Sequence, residues 1–336
     1  MEGRPRRSVL YMPGSNERAL EKAKTLPADA LILDLEDAVA PDEKIRARQQ
    51  VCAVVKGGGY GAREVVIRVN ALETPWGTED ILAACDAEPD AILVPKVVHA
   101  GDIVSVAKIL QGVHAPEKIR LWAMMETPMA ILNARTIAAT AVYAENRLCC
   151  LVMGTNDLIK ESRARALHDR FAVVPWLAMT LVAARAYRLD IIDGVYNDFR
   201  DEKGLREECE RGRTLGMDGK TLIHPSQVGP CNEIFSPTQE EVDWSRKVIG
   251  HGIPPDYEAV YAAAFIKAAL AVADCTLDDV ISSECWLTDP RDFMAFNAIY
   301  KTYFKSDPPV RSIFPMRFMF SCKVEMKVVA YKPLPA

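Results

Sequence analysis

The chain has 336 residues and a mass of 37.2 kDa, and its 49% hydrophobic and 26% charged residues are typical of a globular protein. The formal net charge of −5 argues against a nucleic-acid surface, because such surfaces neutralise phosphates with clustered lysines and arginines. No run of about 18 apolar residues is present, so the sequence predicts no membrane-spanning helix.

Short runs rich in Val, Ile and Leu recur about every 25 to 35 residues, with helical patterns between them. Eight such runs occupy residues 9–12, 30–35, 65–69, 91–94, 121–125, 149–153, 191–195 and 221–224. Strands that are apolar on both faces are typical of a closed parallel barrel covered by helices. The sequence therefore predicts an α/β fold, a (β/α)₈ TIM barrel, with 17–25 among its helices and 239–249 as the eighth.

The pattern changes near Gly250, where the segment GHGIPP indicates a boundary or linker. Beyond it the sequence predicts a helix over 259–273, a strand over 280–287, a helix over 292–304 and a strand over 323–332. We therefore expect two domains, residues 1–250 and a small α+β segment, residues 251–336.

Polar residues follow each predicted barrel strand. They are Pro13 to Asn16, Glu36 and Asp37, Arg68 and Asn70, Pro95 and Lys96, Glu126 to Pro128, Gly154 to Asp157, Asn197 and Asp198, and His224 to Ser226. Active sites of such barrels lie at the carboxyl ends of the strands. The sequence therefore predicts an enzyme with its chemistry at this end.

Glu126 and Asp157 end the neighbouring fifth and sixth strands. Two carboxylates are a typical protein contribution to a Mg²⁺ site, whose remaining positions take water and substrate. We predict that this pair binds Mg²⁺ as the cofactor. The alternative is that Glu126 caps the following helix and Asp157 accepts backbone N–H groups in a turn.

Arg68 ends an apolar strand, and burial of its guanidinium there is unfavourable unless it pairs with an acidic group or reaches solvent at the barrel mouth. We predict that it binds a substrate carboxylate; the alternative is a salt bridge to Glu36 or Asp37. Glu36 and Asp37 are predicted to hold metal-bound waters, or else to begin the next helix as favourable charges.

Nine cysteines show neither CxxC pairs nor Cys/His combinations at zinc-ligand spacing, which favours reduced thiols. The N-terminal MEGRPRR leads into an apolar stretch without the h-region and cleavage site of a secretory signal. We therefore expect a cytoplasmic protein.

Seven motifs occur in order: RSVLYMPGSNERALEKA, LILDLEDAV, VVIRVN, AILVPKV, METP, VMGTNDL and IHPSQV. In this order and spacing they resemble the citrate lyase β-subunit-like branch of the HpcH/HpaI aldolase family, over about residues 6–249. The resemblance implies a barrel, often trimeric, that makes or breaks a C–C bond in CoA thioesters such as malyl-CoA, citramalyl-CoA or a citryl thioester. It implies Glu126 and Asp157 as metal ligands, Glu126 as a further substrate contact, and Arg68 as the substrate-binding arginine. By this resemblance all three are catalytic.

The C-terminal region departs from that family, which normally continues into a cap with an acidic residue that completes a neighbouring subunit's site. TLDDVISSECWLTDPRDFMAFNAIYKTYF, PPVRS and KVEMKVVAYKPLP instead resemble the later part of a RidA/YjgF enamine deaminase. This likeness implies a partial chorismate-mutase-like fold, with Arg311 as a carboxylate-binding residue and Glu325 as a water-positioning residue. The opening strands of that fold are missing.

The leading hypothesis is a Mg²⁺-dependent lyase that acts on a hydroxyacyl-CoA thioester. We expect a homo-oligomer, a trimer, with a small-molecule CoA thioester as substrate and without nucleic-acid or membrane partners. The alternatives are a metal-dependent 2-keto acid aldolase, a catalytically silent barrel with a RidA-like oligomerisation module, and RidA-like deamination.

Overall fold

In the computed structural model, which describes residues 4–165, 169–251, 255–305, 308–316 and 324–332, the chain forms two compact units. They are Met1–Ser236 and Pro237–Ala336. This division falls earlier than the domain boundary predicted near Gly250.

Eight parallel strands close into a barrel in the first unit, each paired with the next along the chain and the last with the first. They are β1 (Ser8–Pro13), β2 (Ala30–Asp34), β3 (Glu64–Arg68), β4 (Ala91–Val94), β5 (Arg120–Met125), β6 (Leu148–Met153), β7 (Asp190–Asp193) and β8 (Gly219–Leu222). The predicted barrel is confirmed.

Helices surround these strands. They are α1 (Glu17–Ala23), α2 (Lys44–Gly57), α3 (Gly77–Ala87), α4 (Ala100–Gly112), α5 (Pro128–Leu132), α6 (Ala134–Ala139), α7 (Thr155–Ser162), α8 (Val174–Ala186), α9 (Glu202–Leu215) and α10 (Val228–Phe235). Single 3₁₀ turns occupy Pro41–Glu43, Thr140–Val142, Ala144–Asn146 and Pro225–Gln227. Among the described helices, none combines the length and apolar character that a bilayer span requires.

The helix that follows β8 differs from the predicted one. α10 buries Val228, Cys231 and Ile234 at a spacing of three residues and packs on β1 and β8. Segment 239–249, predicted as the eighth barrel helix, belongs to α11 (Gln239–His251) in the second unit. The early Gly and Pro of VGPCNEIF obscure the helix in the sequence, although proline is well tolerated in a first turn.

Two apolar layers explain why the strands are hydrophobic on both faces. Alternate residues such as Ile32, Val66 and Trp122 fill the barrel interior, whereas their neighbours, such as Leu33 and Ile67, pack in the layer beneath the helices. Because successive strand residues point to opposite faces, both sets need to be apolar. The barrel interior is thus filled with apolar side chains, and the predicted polar residues lie at the carboxyl ends of its strands.

The second unit combines a three-stranded sheet with helices. Its further elements are α12 (Pro255–Val272), β9 (Val280–Leu287), α13 (Phe293–Tyr303), β10 (Val310–Pro315) and β11 (Val324–Ala330), with 3₁₀ turns at Leu277–Asp279 and Pro290–Asp292. Of these helices, α12 packs against both α13 and β11. In the order β10-β9-β11, β10 is parallel and β11 antiparallel to β9. Cys285, Phe296 and Tyr300 lie in its core.

β10 was not predicted, because it alternates exposed with half-buried residues and forms no continuous apolar run. Residues 252–254 of the predicted linker and Lys323 of the predicted last strand lie outside the described residues. The small α+β unit resembling a RidA-like fold is nevertheless present as expected.

Candidate functional site

A pocket of about 300 Å³ lies at the carboxyl ends of the barrel strands. We call it the mouth pocket, and its polar lining residues are Tyr11, Asp34, Asp37, Arg68, Glu126, Thr155, Asn156, Asp157 and Thr221. The structure thus brings Arg68, Asp37 and both predicted metal ligands to one cavity, at the end of the barrel where the sequence placed them.

Glu126 and Asp157 share a cationic neighbour, Lys96. The backbone N–H of Lys96 donates to Glu126 Oε1 at 2.7 Å, and Lys96 Nζ lies 3.7 Å from Glu126 Oε2 while it also contacts Asp157 Oδ2. Lys96 has a positive φ of 51°, which is uncommon for a residue with a side chain. From the sequence, Lys96 was predicted only as a polar residue at a strand end, not as the partner of this pair.

The alternative role for Glu126, capping the next helix, is taken by another residue. Thr127 Oγ1 accepts the Ala130 N–H at 3.0 Å and caps α5. Glu126 is instead buried behind the mouth, and its burial raises its pKa, an effect that Lys96 and Arg68 oppose. A buried carboxylate of this kind is stabilised in its charged form by a nearby cation.

The donor set fits a magnesium ion. Two carboxylate oxygens, from Glu126 and Asp157, converge on one positively charged atom of Lys96. Within the described residues, no group of three or more His, Cys, Asp or Glu side chains is arranged to hold a metal. Mg²⁺ commonly takes only one or two protein carboxylates and completes its octahedron with water and substrate.

Gly154 makes room for the Glu126 side chain. A Cβ atom at position 154 would lie 2.3 Å from Glu126 Cβ and 2.9 Å from Glu126 Oε2. The turn between β6 and α7 therefore requires a glycine because of close approach, while its φ of −94° is available to any residue.

Arg68 is held by Asp34, a residue that was not predicted from the sequence as part of the site. Arg68 Nε and Nη2 donate to the two carboxylate oxygens of Asp34, each at 2.7 Å. Asp34 also accepts the backbone N–H groups of Glu36 and Ala38 at 2.8 and 3.0 Å. Its position at the end of the apolar run ALILD was the signal that it faces a buried cation.

The ion pairs predicted as the alternative role of Arg68 are also present. Arg68 Nη1 lies 2.8 Å from Glu36 Oε2 and 3.4 Å from Asp37 Oδ2. The Glu36 contact is a close ion pair without hydrogen-bond geometry, so Glu36 Oε2 has no hydrogen-bond partner among the described residues. Burial raises the pKa of Glu36 to about 7, although Arg68 opposes that change.

Glu36 and Asp37 do not begin a helix. They lie in the loop after β2, and the next regular elements are the 3₁₀ turn at Pro41–Glu43 and then α2. Their predicted role in holding metal-bound waters stays a prediction.

The RidA-like residues lie on opposite faces of their sheet. Arg311 pairs in register with the buried Ser283, whereas the exposed Glu325 pairs with Trp286, three positions further along β9. Arg311 Nη2 donates to Asn297 Oδ1 at 2.8 Å, and its guanidinium lies 4.3 Å from the centre of the Tyr300 ring. The two predicted residues therefore do not form one site within this unit.

Comparisons with known proteins agree with this barrel and its site. Residues 7–225 match the HpcH/HpaI aldolase/citrate lyase family, and residues 253–332 match the Endoribonuclease L-PSP family, which represents the RidA domain. The chain belongs to the HpcH/HpaI aldolase/citrate lyase family and carries a C-terminal RidA-like domain.

Individual relatives are similar over the barrel region. A (3S)-malyl-CoA thioesterase from Cereibacter sphaeroides is 51% identical over 248 residues, which cover 74% of this chain and 83% of the relative. The citrate lyase subunit beta of Escherichia coli is 34% identical over 251 residues, which cover 73% and 82%.

A solved structure of CitE from Mycobacterium tuberculosis, in complex with magnesium, acetoacetate and coenzyme A, is also similar. It aligns with a TM-score of 0.60 and 26% identity, covering 74% of this chain and 87% of CitE. Homologous proteins thus include enzymes named for CoA thioesters and structures that hold magnesium.

Proposed function

We propose that this chain is a magnesium-dependent enzyme that hydrolyses the CoA thioester of a short hydroxy dicarboxylic acid such as (3S)-malyl-CoA. One observation carries the proposal: the carboxylates of Glu126 and Asp157 converge on a single cation in the same pocket as Arg68. The thioesterase relative supports hydrolysis as the reaction, because it is more similar to this chain than the citrate lyase subunit is.

Glu126 and Asp157 are the residues that would hold the ion, and bound Mg²⁺ supplies Lewis-acid polarisation and a template for substrate oxygens. Lys96 balances the charge of this carboxylate pair in the structure. Arg68 adds a second positive charge to the pocket, and its bonds to Asp34 fix the orientation of the guanidinium. A substrate carboxylate held by a fixed charge is thereby oriented for reaction.

Cleavage of a C–C bond is the second candidate. The 34% identity to the citrate lyase subunit beta supports it. The same residues could bind a hydroxy acid for either reaction, thioester hydrolysis or C–C bond cleavage. Hydrolysis of (3S)-malyl-CoA breaks the C–S bond with water and gives malate and CoA. Lyase action breaks a C–C bond and gives glyoxylate and acetyl-CoA, so the products distinguish the two.

The test is incubation of the purified chain with (3S)-malyl-CoA and Mg²⁺, followed by mass-spectrometric quantification of all four products. We expect malate and CoA in equal amounts, with one ¹⁸O atom in malate when the water is labelled. Glu126→Gln and Asp157→Asn should lower the rate at least 100-fold, because each removes a charged ligand. Glu117→Gln, at an exposed position, is the matched control and should react like the unaltered protein.

Other outcomes of this experiment would support one of the alternative functions. Glyoxylate with acetyl-CoA would establish the lyase and refute hydrolysis. Turnover of free hydroxy keto acids, without any need for CoA, would indicate the 2-keto acid aldolase. No turnover by folded protein that binds Mg²⁺ would support the catalytically silent barrel.

A further inference from the structure

Two hydrogen-bond donors in the mouth pocket point at the same weak acceptor. Tyr11 Oη lies 3.6 Å and Arg68 Nη1 lies 3.7 Å from the thioether sulfur of Met124. A thioether is a poor acceptor, so neither donor makes a strong bond there. An oxygen atom placed near this sulfur would give both donors a better partner.

Tyr11 is held in this position by its surroundings. It lies on β1 and lines the mouth pocket, and the Arg68 guanidinium carbon lies 4.9 Å from the centre of its ring. Burial raises the pKa of the Tyr11 phenol, so the hydroxyl stays protonated and able to donate at neutral pH.

The arrangement around Arg68 shows why a second donor is needed. Its Nε and Nη2 atoms are taken by Asp34, which leaves Nη1 as the nitrogen directed towards Met124. Nη1 also forms an ion pair with Glu36 Oε2 at 2.8 Å and donates to Asp37 Oδ2 at 3.4 Å. Arg68 therefore cannot offer the Nε and Nη2 edge to a substrate carboxylate without giving up Asp34.

We propose that Tyr11 is a specificity-determining residue whose hydroxyl, together with Arg68 Nη1, donates to the carboxylate beside the substrate's hydroxyl group. This inference rests on the proposed function for the class of ligand. The Tyr11 hydroxyl donates the second hydrogen bond to this carboxylate, because Arg68 Nε and Nη2 are already bonded to Asp34. It thereby selects substrates with a carboxylate beside the hydroxyl group over analogues that have a methyl group at that position.

The experiment compares Tyr11→Phe with the unaltered chain in calorimetric binding of (S)-malate and of 3-hydroxybutyrate, both with MgCl₂. The second compound has a methyl group where malate has the carboxylate beside its hydroxyl. We expect the malate dissociation constant to rise about tenfold in Tyr11→Phe, since a hydrogen bond to a charged group is lost. The dissociation constant of 3-hydroxybutyrate should change less than about twofold.

Tyr60→Phe is the matched control, because it also removes a buried phenol hydroxyl and Tyr60 is not among the lining residues of the mouth pocket. It should bind both compounds like the unaltered chain, and circular dichroism of both variants confirms folding. Unchanged malate binding in Tyr11→Phe, equal weakening for both compounds, or no malate binding by the unaltered chain would each overturn the inference.

The binding measurement separates this inference from the proposed function. Tyr11-dependent malate binding without thioester turnover would refute only the proposed function. Turnover of (3S)-malyl-CoA with unchanged malate binding in Tyr11→Phe would refute only the role of Tyr11.

Discussion

Glu36 shows how burial at the barrel mouth changes the protonation of one residue. Its carboxyl has an ordinary pKa of 4.5, which burial raises to about 7 despite the neighbouring Arg68. The folded protein therefore binds this proton more tightly than the unfolded chain does. This contribution to stability is fully present below about pH 4.5 and is lost as the pH rises to about 7.

Glu36→Gln should remove that pH dependence, because the amide resembles the protonated carboxyl and cannot ionise. Relative to the unaltered chain, the variant should gain about 1–3 kcal/mol in the free energy of unfolding between pH 5 and pH 8. Urea unfolding at both pH values in the presence of a chelator measures it. Parallel pH profiles for the two proteins would contradict the prediction, and Glu117→Gln serves as the exposed control.

At the scale of elements, the turn between β6 and α7 restricts the position of Glu126, the carboxylate after β5 that we propose as a metal ligand. Gly154→Ala would place a methyl group 2.3 Å from Glu126 Cβ, and the side chain has to move. We expect calorimetry to show Mg²⁺ binding weakened at least tenfold. Gly57→Ala is the control, since nothing lies within 4 Å of its added Cβ. Equal Mg²⁺ affinity in the two variants would argue against this role of the turn.

A buried ion network joins the last two strands to the surrounding layer. Lys220 is fully buried and bonds Asp193 at 2.8 Å and Glu208 at 2.5 Å, while Arg170 binds both Asp193 oxygens at 2.7 Å. Burial favours a raised pKa for Asp193, but Lys220 and Arg170 together lower its pKa below the ordinary value. The network therefore depends on every charge being paired.

Lys220→Met should cost about 3–5 kcal/mol of stability, because it removes one partner from a buried network. Thermal and urea unfolding followed by circular dichroism measure the loss. The control is Lys118→Met, which removes an ion pair between half-exposed side chains and should change stability little. If both variants unfold alike, the buried network is not a major source of stability.

For the whole molecule, we predict a trimer in which the second unit serves as an oligomerisation module. Its sheet leaves Val310 76% and Val329 47% exposed, and such apolar surface favours association. Light scattering should give about three times the chain mass of 37.2 kDa. A monodisperse monomer would contradict the prediction.

Much of the barrel could be predicted because each strand corresponds to a short apolar run in the sequence. β4 was predicted at its observed bounds, Ala91–Val94, and the other barrel strands differ only at their ends. The exposed edge strand β10 was missed because it has no continuous apolar run, and α10 was missed because its early Gly and Pro obscure the helical spacing of its buried residues. Glu126, Asp157 and Arg68 were predicted as site residues because each carries a charge at the end of an apolar strand. The structure places all three in the mouth pocket, and their roles stay predictions.

The sequence by itself determined the number and order of barrel strands and the end of the barrel that carries polar groups, because apolar runs and the residues that follow them are local properties of the chain. Only the tertiary structure decided which side chains become partners. Asp34 at the end of β2 bonds Arg68 at the end of β3. Lys96, which follows β4, contacts Glu126 and Asp157, which follow β5 and β6. Such pairings depend on the order and register of the strands, which bring residues 30 to 61 positions apart to within a few ångströms.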